Sequence, residues 1–252
     1  MKATRRPSPS RPSQRVKRSP AGRPRTLAID IGGTGLKASV LDQEGKMLVD
    51  RVRIETPVGS PPEGIVEALA KLVEPLPAYD RVSVGFPGVV RNGKILTAPN
   101  LGNQAWVGFD LGKAMTKRLG RPTRVCNDAD MQGLAAIEGK GVELVITLGT
   151  GFGTALYLEG RLAPHLELAH HPFRKGESYE EQLGNPARKA AGAQKWNKRI
   201  QLAIQNLRGL VHFDHLYIGG GNAKKIDFTP DPDVTIISNE AGIKGGIALW
   251  KD

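Results

Sequence analysis

Two glycine-rich turns and an Asn-Asp pair between them are the residues of this chain best suited to chemistry. The first turn is Asp30-Ile31-Gly32-Gly33-Thr34, the second is Leu148-Gly149-Thr150-Gly151-Phe152-Gly153, and Asn127-Asp128 lies between them. Each turn follows a short apolar run and precedes another (27–29 then 36–41; 142–148 then 154–158). Where no Cβ stands in the way, backbone N–H groups can approach a phosphate closely. Gly32, Gly33 and Thr34 are therefore expected to cradle one side of a phosphate chain, and Gly149, Thr150 and Gly151 the other. Lys37 offers positive charge nearby, and Asp30, at a strand end, can hold Mg²⁺ through water. Either turn alone would pass as an ordinary tight turn. The pair, in matched strand contexts, points to phosphoryl transfer.

Transfer to a hydroxyl needs an acceptor for its proton, and Asp128 is the candidate general base, a role that contributes about 10²- to 10⁴-fold. Asn127 can bond the same acceptor through both amide groups, although the pair also reads as a plain helix cap. Asp130 competes for the role of base, or else serves the N-terminus of the following helix, where negative charge is favourable. In Glu167-Leu168-Ala169-His170 a carboxylate and an imidazole follow a strand, a combination that fixes sugar hydroxyls by accepting and donating together. His165, His170 and His171 cluster in sequence, but no cysteine lies near them and a protein-held metal site is not expected.

These groups must be positioned by strands and helices. Strands are expected at 27–30, 36–41 and 46–55, and a helix opens at Ser60-Pro61-Pro62-Glu63, with Ser60 as N-cap and Glu63 completing a capping box. Its apolar face is Ile65, Leu69, Leu72 and Leu76. A strand at 81–86, a helix capped by Asp110, a strand at 123–126 and a helix at 131–138 follow. The order then repeats: strands at 142–148, 154–158 and 161–166, one long helix from Asn185 to about Leu207, strands at 215–218 and 234–237, and a last helix at 239–250. This is an α/β arrangement with an internal duplication, divided as an N-terminal domain (26–130) and a C-terminal domain (131–252).

The 252 residues, 39% hydrophobic, suffice for two modest cores. The formal charge of +11 misleads. Nine Lys and Arg, and no Asp or Glu, fall within residues 1–25. That Pro- and Ser-rich basic tail cannot bury apolar surface and is expected to be disordered. It can be a solvated extension, a tether to a polyanion, or a transit peptide spoiled by its prolines. The single cysteine, Cys126, leaves no disulfide framework. No apolar run is long enough for a membrane span, so a cytoplasmic location is expected.

Together Asp30-Ile31-Gly32-Gly33-Thr34, Gly85-Phe86-Pro87-Gly88, Asn127-Asp128, Leu148 to Gly153 and Glu167-Leu168-Ala169-His170 resemble the ROK sugar kinases, over residues 25–252. Stretches such as His171-Pro172-Phe173-Arg174-Lys175-Gly176, Lys195-Trp196-Asn197-Lys198-Arg199 and Gly219-Gly220-Gly221-Asn222 resemble the polyphosphate glucokinases of that family. The resemblance implies the two-domain actin-like, ribonuclease-H-like (ASKHA) fold. It also implies transfer from inorganic polyphosphate, in many cases also from ATP, to the 6-hydroxyl of glucose, with Mg²⁺. By position, Asp128 would be the base, and Asn127, Glu167, His170 and Glu180 would hold the sugar, with Glu181 as an alternative to Glu180. The loop Asn100-Leu101-Gly102-Asn103, with Trp106, would be the sugar-side loop, and Gly220 and Gly221 would belong to the nucleotide-side motif. A homodimer is expected on the same ground. Two departures stand out. The family's glycine before the motif histidine is Ala169 here, which would be strained if that position needs positive φ. The cysteine zinc motif of many members is missing, as it is in the polyphosphate subgroup.

Polyphosphate has no base to bind and needs a track of cations. Arg174, Lys175, Arg188, Lys189, Lys195, Lys198, Arg199, Lys224 and Lys225 can supply one, with Arg188, Lys195 and Arg199 spaced to share a face of the long helix. The alternatives are a strictly ATP-dependent ROK gluco/mannokinase and a sugar-responsive regulator. Against the regulator, the segment before Leu27 is too short and proline-rich for a helix-turn-helix module. Nucleic acid is not an expected partner of the folded part.

Overall fold

In a computed structural model of the chain, residues 24–250 are described except 58, 103 and 238–244. The chain builds the same five-stranded sheet twice. In the first half, β1 (Thr26–Ile31), β2 (Leu36–Leu41) and β3 (Val52–Ile54) are followed by α1 (Pro62–Val73) and β4 (Arg81–Phe86). A small hairpin, β5 (Val90–Arg91) and β6 (Lys94–Ile95), then leads through α2 (Leu111–Leu119) to β7 (Thr123–Asn127). The sheet order is β3-β2-β1-β4-β7, antiparallel across β3, β2 and β1 and parallel across β1, β4 and β7.

α3 (Asp128–Gly133) spans the junction, and the second half continues with β8 (Val142–Leu148), β9 (Phe152–Leu158) and β10 (Arg161–Leu162). A hairpin of β11 (Pro172–Arg174) and β12 (Glu177–Ser178) precedes three helices, α4 (Tyr179–Leu183), α5 (Asn185–Ala191) and α6 (Ala193–Val211). β13 (His215–Gly219) and β14 (Val234–Ile236) complete a sheet of order β10-β9-β8-β13-β14 with the same pattern of directions. Matching order and direction in both sheets bears out the expected duplication.

Each sheet covers its own core. Leu27, Ile29, Val82, Val84 and Phe86 pack against Ile65 and Leu69 of α1 and Met115 of α2. Leu144, Ile146, Leu216 and Ile218 pack against Trp196, Ile200 and Leu207 of α6. Burial of these side chains, each worth about 1.5–3 kcal/mol, fixes the two sheets as platforms whose turns carry the polar groups. Residues 245–250 cross back to the first sheet. Ile247 packs with Ala28 and Leu41, Ser83 Oγ donates to the Gly246 carbonyl, and Trp250 Nε1 donates to Ser83 Oγ at 2.8 Å.

Several boundaries differ from the sequence reading. α1 begins one residue late: Pro61 occupies its N-cap position without a side-chain cap bond, so the capping box on Ser60 does not form. The third strand shrinks to Val52–Ile54 because it is an exposed sheet edge, with Met47 making only an isolated bridge to Leu41. The helix expected at 131–138 begins at Asp128, because Asn127 accepts from the N–H groups of Ala129 and Asp130 and starts it there. The strand expected at 161–166 is Arg161–Leu162 only. The long helix is two, broken at Gly192, whose φ of 77° interrupts the helical path. Arg188 therefore lies on α5 and Lys195 and Arg199 on α6, so the three do not share one helix face. Of the last expected helix, 239–244 lie outside the described residues, and Ala248–Trp250 forms a single 3₁₀ turn.

Candidate active site

The ends of β1, β4 and β7 in one sheet, and of β8 and β9 in the other, open onto a common cleft of about 280 Å³. Its walls hold Asp30, Gly32, Gly33, Thr34 and Lys37 from the first turn, Gly149, Thr150 and Gly151 from the second, and Asn127, Asp128, Glu167, His170 and Glu180. Residues spread over 150 positions of sequence are thus brought to one place by two duplicated sheets. A neighbouring cavity shares Gly33 and Pro99 with the cleft and is lined by Leu101, Gly102 and Trp106 of the expected sugar-side loop. Asn103 lies outside the described residues. Gly220 and Gly221 do not line the cleft. They follow β13, where Gly220 packs against the backbone of Leu148 and the Asn222 side chain donates to the Gly149 carbonyl at 2.9 Å, behind the second glycine turn.

The two turns share a construction. Gly32 N–H donates to the Gly35 carbonyl at 3.0 Å, and Gly149 N–H to the Gly151 carbonyl at 3.1 Å. Thr56 Oγ1 fastens the first turn by donating to the Gly32 carbonyl at 2.6 Å, and Asn185 N–H fastens the second through the Thr150 carbonyl at 3.1 Å. Among the described residues the N–H groups of Gly33, Thr34, Thr150 and Gly151 make no hydrogen bond. Donors left unpaired beside a cleft are what an anion requires.

Asp30 and Lys37 are direct cross-strand partners in the β1–β2 ladder. That register brings Lys37 Nζ to 2.9 Å from Asp30 Oδ2. Asp128 is the first residue of α3 and half-buried, with its Oδ1 accepting from Ala129 N–H at 2.9 Å. Burial pushes its carboxyl up to about 7, and the negative charge of Asp30 adds to the effect. A carboxylate with affinity for a proton near neutrality is suited to general-base work. Asn127 reaches the cleft with its amide engaged. Oδ1 accepts from Ala129 and Asp130 N–H, while Nδ2 donates to the carbonyls of Gly88 at 3.0 Å and Phe86 at 3.4 Å. To bond a ligand it would have to give up one of these bonds; as it stands, it fixes Asp128 at the end of β7.

The other wall resolves two questions left open by sequence. Glu181 forms a capping box with Ser178 at the start of α4 and is turned to that task, whereas Glu180 lines the cleft. A Cβ on Gly151 would meet the Glu180 carboxylate, so glycine at that point of the second turn leaves room for this side chain beside the cleft. Ala169 is absent from the non-glycine residues of positive φ, and the strain expected at that position does not arise.

Asp130 is not available as a base: its carboxylate is buried and pairs with His165 Nδ1 at 3.1 Å. His165 also lines the cleft, and nothing in the sequence pattern assigns it a role there. The only signal was its position two residues before Glu167. Among the described residues no group of three or more His, Cys, Asp or Glu side chains could hold a metal ion, and no helix is long and apolar enough to cross a membrane.

Comparison with known proteins agrees with this architecture. A model of the ROK family matches residues 26–165. Over 210 residues the chain is 29% identical to a polyphosphate glucokinase of Mycobacterium tuberculosis (strain ATCC 25618 / H37Rv), spanning 80% of this chain and 79% of that protein. It is similar in structure to an inorganic polyphosphate/ATP-glucomannokinase from Arthrobacter sp. strain KM, with 35% identity and a TM-score of 0.79 over 90% of this chain and 100% of the other. A ROK family glucokinase from Streptomyces griseus, in complex with glucose and AMPPNP, shares the fold at 19% identity, with a TM-score of 0.71 over 89% of this chain and 98% of that one. The duplicated sheets are those of the two-domain actin-like sugar kinase fold, and the chain belongs to the ROK family.

Proposed function

We propose that this protein transfers a phosphoryl group from inorganic polyphosphate, with ATP as an additional donor, to the 6-hydroxyl of glucose, giving glucose 6-phosphate. The observation that carries the reading is the meeting, in one cleft, of Asp128 with the two glycine turns and with Glu167, His170 and Glu180. Glucose lies against Glu167, His170 and Glu180. Asp128 accepts the 6-hydroxyl proton as that oxygen attacks the terminal phosphorus and the bond to the donor's bridging oxygen breaks. The free N–H groups of Gly33, Thr34, Thr150 and Gly151, with Lys37, stabilise the charge on the transferring group, the main catalytic term in such reactions. Closure of the two halves, 26–130 against 131–252, with α3 at the joint, excludes water.

Mg²⁺ keeps several waters and binds phosphate oxygens with one or two carboxylates. Asp30 offers one such oxygen in the cleft, and the donor's phosphates would supply the others. When bound it neutralises phosphate charge.

For polyphosphate, the basic side chains beside the second turn support the reading. Arg188 donates to Asn185 Oδ1, Arg199 to the Gln182 carbonyl at 3.2 Å, and Arg174 to Gln182 Oε1 at 3.0 Å. Those partners are neutral oxygens, so the positive charge is not cancelled by them. Asn185, the partner of Arg188, in turn bonds Thr150 of the glycine turn, which links that arginine of α5 to the phosphate cradle. ATP as sole donor is the second reading, favoured by the packing of Gly220 and Asn222 directly behind the second turn. We further take the protein to act in the cytoplasm as a homodimer; the basic tail expected from sequence lies, up to residue 23, outside the described residues.

Asp128→Asn tests the proposal. It should lower kcat by about 10²-fold or more while leaving glucose binding largely intact. Near-normal turnover would remove Asp128 from the role.

A further inference from the structure

Glu167 does not stand alone in the cleft wall. Behind it lies His165, whose side chain is 6% exposed. Its Nδ1 is 3.1 and 3.2 Å from the two oxygens of Asp130, and its Nε2, buried and without a hydrogen bond, is 3.5 Å from Glu167 Oε2. One imidazole is thus held between a buried carboxylate and a carboxylate that reaches the cleft. Only the imidazolium form carries a proton on each nitrogen and can serve both.

The clamp is braced from behind. Asp130 N–H donates to Asn127 Oδ1, Tyr157 OH donates to the Asp130 carbonyl, and Thr154 Oγ1 donates to the Leu166 carbonyl between the two site residues. Asp130 sits on α3, two residues after Asp128. The row Asp130–His165–Glu167 therefore ties the sugar-side carboxylate to the helix that begins with the candidate base. Burial by itself would discharge the imidazole, but Asp130 and Glu167 outweigh it and raise its pKa to about 9. Burial would likewise raise Glu167, yet His165, the Ala169 N–H and His170 together hold it below the usual range. Burial raises Asp130, an effect its contact with His165 opposes. A side chain present only to fill space would need none of these charges.

Building on the glucose-kinase reading, we infer that His165 is a positioning residue: as an imidazolium anchored by Asp130, it holds Glu167 ionised and oriented as an acceptor for sugar hydroxyls. It does not touch the transferred phosphoryl group. Its loss is expected to weaken sugar binding and to leave the transfer step largely alone.

The test uses the full chain as wild type, His165→Asn, His165→Gln, Asp130→Asn and the double variant His165→Asn/Asp130→Asn. Glucose binding is followed by calorimetry, turnover by steady-state kinetics, and folding by thermal melts. Removing a charge-assisted contact should raise the glucose Kd and KM about tenfold, with kcat changed less than about threefold. Without its cationic partner Glu167 should protonate at higher pH, so the acid limb of glucose affinity moves up. The double variant should be little worse than the poorer single one, because both changes cut the same clamp. In the wild type, the His165 imidazole followed by NMR should stay protonated through pH 8, a readout that needs no variant to fold. Unchanged KM and acid limb in folded His165 variants, or an imidazole titrating near its ordinary value, would overturn the inference. If the wild type itself binds no glucose, the glucose-kinase reading falls and takes the sugar half of the inference with it, while the NMR titration still decides the clamp.

Discussion

The half-buried Asp128, facing Asp30 across the ends of β7 and β1, makes a pH dependence the sharpest consequence of the site. Burial and the Asp30 charge place its pKa at about 7, and a general base works only when deprotonated. The active fraction of free enzyme should then be about one tenth at pH 6 and about nine tenths at pH 8, so kcat/KM for glucose should rise roughly tenfold between them. The donor's own phosphates titrate in the same region, and a second enzyme removes that ambiguity. In Asp30→Asn the like charge is gone, and Lys37, which bonds Asp30 Oδ2 at 2.9 Å, loses its anionic partner. Both changes favour the Asp128 carboxylate, so the acid limb should move to lower pH while the donor's contribution stays the same. The assay is initial-rate glucose 6-phosphate formation from pH 5 to 9 at fixed ionic strength, for both enzymes with one donor. A wild-type limb near pH 4, or coincident limbs in the two enzymes, would remove Asp128 as the group that titrates.

The same residue links activity to stability. A carboxyl whose folded pKa is raised costs nothing below its unfolded pKa near 4, and an increasing amount as pH climbs toward 7, because the folded state resists the charge. Asp128→Asn should therefore melt higher than wild type at pH 8, by the equivalent of about 2–4 kcal/mol at most, with the gain vanishing by pH 4; a melting temperature unchanged at both pH values would contradict the assigned environment. Glu180 and Glu181 should separate cleanly. Glu181→Ala, breaking the capping box on Ser178, should cost about 1 kcal/mol of stability and leave the glucose KM alone, while Glu180→Ala should raise that KM with little effect on the melt. Reversed phenotypes would exchange their roles.

Much of the site was legible in sequence because its signals are local. Asp30-Ile31-Gly32-Gly33-Thr34 and Leu148 to Gly153 each show a buried strand, a turn and a second strand within a dozen residues, and the alternation survives in the fold. What was missed depends on distance or on backbone detail. The pairing of His165 with Asp130 joins residues 35 apart, and no periodicity announces it. Helical spacing runs through 185–207 without a break in pattern, and only the positive φ at Gly192 separates α5 from α6. The α3 start was misplaced because its first turn, Asp128-Ala129-Asp130, is polar, so the apolar pattern begins a turn late. Glu180 and Glu181 were indistinguishable until the capping box claimed one of them.

The most direct measurement is product identity with purified full-length protein, glucose and Mg²⁺, giving long-chain polyphosphate and ATP in separate tubes. Glucose 6-phosphate is expected in the polyphosphate tube, at a rate equal to or above that with ATP. Product with ATP alone would contradict the donor assignment and reduce the cations of α5 and α6 to a solvated surface; no sugar phosphate from either donor would contradict the proposed glucose kinase activity itself.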